Sequence, residues 1–168
     1  AVVRAAALLH DVGRGQAEVE GRDHAAVGAK RAREILAERP CDQVDAIIHA
    51  IAAHRFRTEP APETLEARVV FDADKIDAIG AIGIARAFAY GGAHGQRLWV
   101  PVESVDLAHW QQNGDDAEIH TPVHEFVVKL SRLKERLFTP TGKAIAAERH
   151  TYMVDFFTRL DAEAQGRL

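Results

Sequence analysis

The chain has 168 residues, 47% of them hydrophobic and 27% charged, with a formal net charge of −4 and a single cysteine, Cys41. These values indicate one globular domain over residues 1–168, argue against a general nucleic-acid binder with a basic face, and exclude an internal disulfide. No apolar run approaches the roughly 20 residues that cross a bilayer. We therefore expect a cytoplasmic protein that binds neither membranes nor specific nucleic-acid sequences.

The first forty residues predict two helices with a polar segment between them. Residues 1–9 are mostly apolar and form the body of a helix, which two glycines then break. The Gly-rich, charged stretch 12–22 is predicted to be a loop. A second helix runs from about Asp23, its N-cap, to Glu38, and Pro40 closes it.

The next stretch of the chain predicts two further helices. Asp42 is the expected N-cap of a helix over residues 43–54, whose apolar residues recur at helical spacing. Residues 63–77 predict a helix as well. The β-branched run Val69-Val70-Phe71 within it is too short for a strand and has no partner run nearby.

The second half of the chain continues the helical pattern. Residues 79–85 are small and branched with two glycines three apart, which predicts a helix packed close to a neighbour. A short helix is expected within 103–112, a longer one from Pro122 through Leu137, and a last one from Thr139 onward. Since no alternating strand pattern occurs, we predict an all-α bundle of six to eight helices.

An adjacent histidine and aspartate, His10 and Asp11, end the first apolar helix where a polar segment begins. Imidazole nitrogen and carboxylate oxygen together suit zinc, manganese, iron or nickel. Taken alone, the pair also fits a buried histidine with satisfied hydrogen bonds beside a loop-capping aspartate, because two adjacent residues form a weak motif. Polar residues later in the chain bear on which interpretation holds.

Three later residues are candidates to join this pair. His24 follows an N-cap, although taken singly it is better explained as an ordinary helix-start residue. His54 stands at a helix end, about 140° around the helix from His49, so both cannot face one metal ion. Asp74 has apolar neighbours, and a buried carboxylate is costly unless a cation accompanies it. Nearby Asp72 is expected to lie on a solvated acidic stripe.

Four segments of the chain resemble the HD superfamily of metal-dependent phosphohydrolases in their order and spacing. They are residues 6–13 with the His-Asp pair, 23–29, 51–55 and 67–75. Residues 74–86 are similar to one bacterial branch of HD proteins, and the resemblance covers essentially the whole chain. It implies an HD-type helical bundle that holds a divalent metal ion, Mn, Fe, Ni, Zn or Mg, among its helices.

Carried over residue by residue, the resemblance implies His10, Asp11 and Asp74 as ligands of the metal ion. His24 and His54 match the extra histidines that bind a second ion or the phosphate in some branches. One departure is that the family carries a first histidine upstream of the His-Asp pair, and no histidine precedes His10 here. We expect either a preceding helix that supplies it, absent from this sequence, or a coordination sphere with one ligand fewer.

The chemistry that such ligands predict is phosphoester hydrolysis. A divalent ion with an open coordination position lowers the pKa of bound water towards about 7 and polarises a phosphoryl oxygen. Asp11 is expected to bridge two ions or to orient the water, and Asp11 and Lys75 are the predicted catalytic residues. Lys75, Arg14 and Arg55 are expected to bind the substrate's phosphates, although each also fits an ordinary surface cation.

The sequence thus predicts a metal-dependent phosphohydrolase acting on a nucleotide or a related phosphorylated small molecule. The alternatives are a non-catalytic helical module that keeps a metal or nucleotide site for sensing or assembly, and a purely structural bundle. Other catalytic patterns are weaker: no histidine is placed to activate Cys41, and His120 and His124 lack the glutamate of a zinc-protease motif. The helix over 80–90 and the aromatic C-terminal helix could each bury a second copy in a homo-oligomer.

Overall fold

The computed structural model describes residues 1–38, 40–55, 59–107 and 120–167. Over these ranges it has eight α-helices and two 3₁₀ segments and contains no strand. The chain divides into two compact units, Ala1–Asp74 with Leu137–Gly142 and Lys75–Arg136 with Lys143–Leu168. The predicted all-α fold of six to eight helices is confirmed, whereas the single domain over 1–168 stays a prediction.

The helices follow one another in chain order, and the last is much the longest. They are α1 Val2–Leu9, α2 Arg14–Glu20, α3 His24–Ala37, α4 Val44–Ala52, α5 Leu65–Asp77, α6 Gly80–Ala93, α7 Pro122–Val128 and α8 Pro140–Ala164. The 3₁₀ segments are Val102–Ser104 and Leu130–Arg136. None of the described helices combines the length and the apolar character that a membrane span requires.

Small apolar side chains from α1, α3, α4 and α5 form the core of the first unit. Its buried members are Val2, Ala6, Ala29, Ala32, Leu36, Ile47, Ala50, Ile51, Ala67 and Val70. Alanine allows helix backbones to approach closely, and each of the two fully buried isoleucines contributes about 1.5–3 kcal/mol through burial. The core thereby holds together the four helices whose ends carry the candidate metal ligands.

Side-chain caps fix where two helices of the first unit begin. Asp23 accepts a hydrogen bond of 3.0 Å from the amide of the third residue after it, so α3 begins directly after Asp23 as predicted. Thr64 makes the equivalent contact at the start of α5, at 3.2 Å. The prediction of Asp42 as the cap of α4 is wrong, because Gln43 occupies that position and no side chain caps the helix there.

The predicted loop over residues 12–22 is the largest error in the expected elements, because this stretch contains α2. The helix has no continuous apolar stripe, and Ala17 is its buried residue, so hydrophobic periodicity could not reveal it. It ends at Gly21, whose φ of +63° lies in the left-handed region that glycine adopts without a Cβ clash.

Two elements of the second half also differ from their predicted extent. Pro122 stands in the first turn of α7 as predicted, but the α-helix ends at Val128. The 3₁₀ segment Leu130–Arg136 occupies most of the remaining stretch that was predicted to be helical as far as Leu137. Within the predicted helix over 103–112, the structure has part of the 3₁₀ segment Val102–Ser104, and residues 108–112 lie outside the described part of the chain.

The second unit has an aromatic core. Phe126 of α7 stacks on Phe157 of α8 with ring centroids 4.2 Å apart, and Phe88 of α6 meets Phe156 edge to face at 5.8 Å. Arg149 of α8 donates a hydrogen bond of 2.6 Å to the carbonyl of Ile76, near the end of α5. These contacts join α6, α7 and α8 within this unit.

Candidate metal centre

His10 and Asp11 occupy the turn that follows α1. His10 is the C-cap residue of α1, and its Nδ1 lies 2.8 Å from the carbonyl oxygen of Ala7. Because a carbonyl oxygen can only accept, Nδ1 carries the proton and the lone pair is on Nε2. That Nε2 lies 3.7 Å from Oδ2 of Asp11. His10 therefore presents its unprotonated nitrogen beside the neighbouring carboxylate.

His54 lies two residues beyond the end of α4, and its ring is fixed in the same way. Its Nδ1 lies 2.6 Å from the carbonyl oxygen of Ile51, which again leaves the lone pair on Nε2. The residue is buried, with only 2% of it exposed. A histidine whose Nδ1 donates to a backbone carbonyl is held in one ring orientation, as metal-binding histidines commonly are.

His24, the first residue of α3, lies close to both His54 and Asp11. Its Nε2 lies 3.2 Å from Nε2 of His54 and 3.9 Å from Oδ1 of Asp11. Two nitrogens that bind one ion at about 2.1 Å in tetrahedral or octahedral geometry are themselves about 3.0–3.4 Å apart. The separation of the two imidazole nitrogens therefore fits a shared divalent ion.

Asp11 lies between the histidines and offers a different oxygen to each side. Oδ2 is the atom near His10, whereas Oδ1 is the atom near His24. One ligand atom each from Asp11, His24 and His54 lie within 4.8 Å of one another. The donor set of imidazole and carboxylate suits a divalent transition metal, and the two sides of Asp11 suit one or two ions.

Asp74 comes to the same region from α5. Its Oδ1 lies 4.0 Å from Nε2 of His10, and its side chain is 34% exposed. All five predicted ligands thus lie in the first unit. Asp11 and Asp74 each place a carboxylate oxygen within 4.0 Å of Nε2 of His10. The residues whose ligand atoms all lie within 4.8 Å of one another are Asp11, His24 and His54.

The charges around the site favour the protonation states that bind metal. Burial acts to raise the pKa of Asp11, but the hydrogen bond from Arg14 and the charges of His10, Arg14 and His24 lower it overall. Burial and the charge of Arg55 lower the pKa of His24. At neutral pH Asp11 is therefore ionised and His24 neutral, as ligation of a divalent ion requires.

The three predicted phosphate-binding residues have different surroundings. Arg14, on α2, donates a hydrogen bond of 3.0 Å to Oδ2 of Asp11 and is about half exposed. Arg55 donates to Oδ2 of Asp23. Lys75 belongs to the second unit and is only 8% exposed. Their roles towards a substrate stay predictions.

Asp72 does not lie on a solvated acidic stripe, and that prediction is wrong. The residue is 3% exposed and accepts hydrogen bonds from the amides of Phe138 and Thr139 at 2.9 and 2.8 Å and from the hydroxyl of Thr139 at 2.6 Å. Sequence reasoning missed this contact because the partners are 66 and 67 residues away. It ties α5 to the start of α8.

Known proteins resemble this chain in both fold and sequence. The pattern of the HD domain family matches residues 1–79. The crystal structure of an HD-superfamily hydrolase from Bacillus thuringiensis is 31% identical with a TM-score of 0.69, over 98% of this chain and 73% of that one. The chain belongs to the HD superfamily. This confirms the family inferred from the sequence.

Other relatives of this HD-superfamily chain are YpgQ and Ribonuclease Y. YpgQ of Bacillus subtilis is 35% identical over 129 residues, and the match covers 74% of this chain but 55% of YpgQ. The structure of YpgQ in complex with ADP is 27% identical with a TM-score of 0.60, over 96% of this chain and 84% of that one. Ribonuclease Y of Chloroflexus aurantiacus is 30% identical over 92% of this chain, which spans 31% of that protein.

These relatives bear on the kind of protein rather than on its reaction. An HD-superfamily hydrolase is similar over nearly the whole chain, so the comparisons support a metal-dependent hydrolase as the kind of protein. The cluster of Asp11, His24 and His54 is a candidate for its metal. The sequence matches cover 55% of YpgQ and 31% of Ribonuclease Y, so the activity of neither whole protein is carried over to this chain.

Proposed function

We propose that the chain is a metal-dependent phosphohydrolase that cleaves a phosphoester or phosphoanhydride of a nucleotide or a related phosphorylated small molecule. The observation that carries the proposal is the position of Asp11, with one carboxylate oxygen near His10 and the other near His24. A carboxylate in that position can serve two ions, or one ion and a water molecule. When bound, a divalent ion supplies an activated water and polarises a phosphoryl oxygen.

The proposed ligands fall on the two sides of Asp11. On one side His10 lies beside Oδ2, and Asp74 lies beside His10. On the other side His24 lies beside Oδ1, and His54 lies beside His24. The second pair holds either another ion or a phosphate oxygen. Support comes from the Nε2 lone pairs of His10 and His54, each fixed by a backbone carbonyl that accepts from Nδ1.

The proposed substrate side of the site involves cations of the chain. Arg14 contacts Asp11 through one guanidinium nitrogen and Glu18 through Nε, and its side chain is 56% exposed. Its remaining donors can therefore meet a phosphate oxygen and offset charge that develops there. Lys75 and Arg55 stay predictions for the same role. A nucleotide is favoured as substrate because the YpgQ structure similar to this chain contains ADP.

Phosphate release from a substrate panel tests the proposal. The protein is stripped of metal, reloaded with Mn²⁺, Ni²⁺, Fe²⁺, Zn²⁺ or Mg²⁺, and offered mononucleotides, dinucleotides, sugar phosphates and a single-stranded oligoribonucleotide. We expect metal-dependent turnover that disappears in His10→Ala and Asp11→Ala with the helical circular dichroism unchanged. The matched controls are His94→Ala and Asp45→Ala, exposed residues outside the candidate site, which should keep full activity.

Two other results would contradict the proposed function. Stoichiometric metal with no turnover of any phosphoester would instead indicate a non-catalytic metal- or nucleotide-binding module. Turnover that survives both His10→Ala and Asp11→Ala would place the chemistry at other residues.

A further inference from the structure

An ion pair joins the residues next to the two histidines that face each other. Nη1 of Arg55 donates to Oδ2 of Asp23. Asp23 directly precedes His24, and Arg55 directly follows His54. The pair thus connects the start of α3 with the chain just beyond the end of α4, at the point where each presents its imidazole.

The two carboxylate oxygens of Asp23 have separate tasks. Oδ1 accepts the hydrogen bond of 3.0 Å that caps α3 and holds the first turn of that helix to Asp23. Oδ2 accepts from the guanidinium of Arg55. Because the cap already fixes Asp23 to its own helix, the second bond fixes the first turn of α3 relative to Arg55.

The separation of the imidazoles depends on this relation between α3 and α4. The ring of His54 is held to its own helix by the carbonyl of Ile51, 2.6 Å away. The 3.2 Å between Nε2 of His54 and Nε2 of His24 therefore depends on where the start of α3 places His24. Side chains of Asp23 and Arg55 are 26% and 33% exposed, so solvent only partly screens their interaction.

We propose that Asp23 and Arg55 are positioning residues that hold His24 and His54 at the separation needed to bind one ion together. The inference rests on the proposed function, because it needs a divalent ion at these histidines. It gives Arg55 a role different from phosphate binding, and the two roles predict different behaviour. A positioning residue changes metal affinity without substrate, whereas a phosphate-binding residue changes the KM for substrate at unchanged metal affinity.

Titration of the purified protein with Mn²⁺ in the absence of substrate tests the inference. Binding is measured by electron paramagnetic resonance and by calorimetry. The variants are Arg55→Met, which removes the guanidinium at similar length, and Asp23→Ser, which keeps an N-cap oxygen but loses the carboxylate. Arg55→Lys keeps the charge. Arg33→Met is the matched control, because Arg33 also pairs with an aspartate, Asp45, at 2.9 Å on the surface.

We expect Arg55→Met and Asp23→Ser to weaken by about 10- to 100-fold the Mn²⁺ binding step that His24→Ala abolishes, as loss of a ligand-orienting partner does. Arg55→Lys should recover most of that affinity, and Arg33→Met should match the wild type. With a turned-over phosphoester in hand, saturating Mn²⁺ should restore the kcat of Arg55→Met with little change in KM.

An unchanged Mn²⁺ isotherm in Arg55→Met and Asp23→Ser overturns the inference and leaves the proposed function intact. A raised KM of Arg55→Met for substrate would then indicate that Arg55 binds the substrate's phosphate. An equal loss of affinity in Arg33→Met would also overturn it, since the effect would not be specific to this pair. A wild-type chain that binds none of the divalent ions overturns both proposals. Absence of turnover with normal metal binding overturns only the proposed hydrolysis.

Discussion

The backbone of Gly28 lies against the carbonyl group of His10. A Cβ atom at position 28 would stand 2.7 Å from that carbonyl oxygen, and a Cβ at Gly13 would stand 2.6 Å from the Gly28 nitrogen. The turn that carries His10 and Asp11 therefore packs directly on the backbone of α3, with no room for a methyl group on either side. The same helix begins at His24, so this contact helps to place two of the candidate ligands together.

Substitution Gly28→Ala tests how much depends on this close approach. The added methyl group meets backbone atoms that cannot rotate away, so we expect a loss of about 1–3 kcal/mol in the free energy of unfolding. We also expect weaker Mn²⁺ binding, because the turn with His10 must shift. Urea unfolding and a Mn²⁺ titration measure the two effects.

Gly15→Ala is the matched control for that experiment. Gly15 lies within α2, and nothing stands within 4 Å of the position its Cβ would take. Alanine has the higher helix propensity, so this variant should be as stable as the wild type or more stable by about 0.5–1 kcal/mol. Equal behaviour of the two variants would contradict the role given to the Gly28 contact.

Asp72 offers a second test, of the tie between α5 and the start of α8. Asp72→Asn leaves the carboxylate's three donors facing an amide that can satisfy only part of them, so we expect a loss of about 1.5–3 kcal/mol in the free energy of unfolding. Thr139→Val should lower stability by a smaller amount, because it removes one bond to Asp72 and the cap on Gly142. Thr139→Ser keeps both bonds.

Urea denaturation of these variants decides the point. Asp77→Asn is the control, since Asp77 lies on the same helix with a side chain 62% exposed and pairs with Arg86 on the surface. Asp77→Asn should lower the free energy of unfolding by no more than about 0.5 kcal/mol. If Asp72→Asn is no more destabilising than Asp77→Asn, the buried carboxylate does not stabilise the fold as described.

Glu125 of α7 gives a prediction about acid stability. Burial acts to raise the pKa of this carboxyl, but hydrogen bonds from His120 and Lys129 outweigh burial and lower the pKa to about 2. Since the unfolded pKa is about 4.3, the stability that Glu125 contributes is present above about pH 5 and is lost as the pH falls towards 2. We expect the stability difference between wild type and Glu125→Gln to fall from about 1–3 kcal/mol at pH 6 to near zero at pH 2.

Urea unfolding at several pH values between 6 and 2 measures that difference. Glu163→Gln is the matched control, because Glu163 pairs with Arg159 at a surface site where its side chain is 55% exposed. Its difference from the wild type should be small at every pH. A difference for Glu125→Gln that stays constant across the range would mean that the folded protein does not depress the pKa of Glu125.

The helical class and the five candidate ligands could be predicted because both depend on patterns that can be recognised in the sequence itself. Hydrophobic periodicity marks the longer helices, and Asp23 marks the start of α3 through its own capping bond. The order of His10-Asp11, His24, His54 and Asp74 along the chain carried the resemblance to the HD superfamily. In the structure these residues come together in one unit.

The features that the sequence could not predict are of two kinds. Some depend on contacts between residues distant along the chain, and one is a helix without an apolar stripe. α2 has one buried residue, Ala17, and therefore no periodic pattern to detect. The burial of Asp72 comes from backbone amides 66 and 67 residues later. The pairing of Arg55 with Asp23, 32 residues apart, likewise has no local sign. A charged side chain looks the same in sequence whether it meets solvent, a substrate or a buried donor.

An anomalous difference map from crystals soaked in Mn²⁺ tests the metal centre itself, because it locates the ion without reference to turnover. We expect a peak at coordination distance from a carboxylate oxygen of Asp11 and from imidazole Nε2 atoms of the first unit, on the His10 side, the His24–His54 side or both. A peak that avoids Asp11, or ions bound only at other carboxylates of the surface, would contradict the metal centre and the hydrolysis proposed from it.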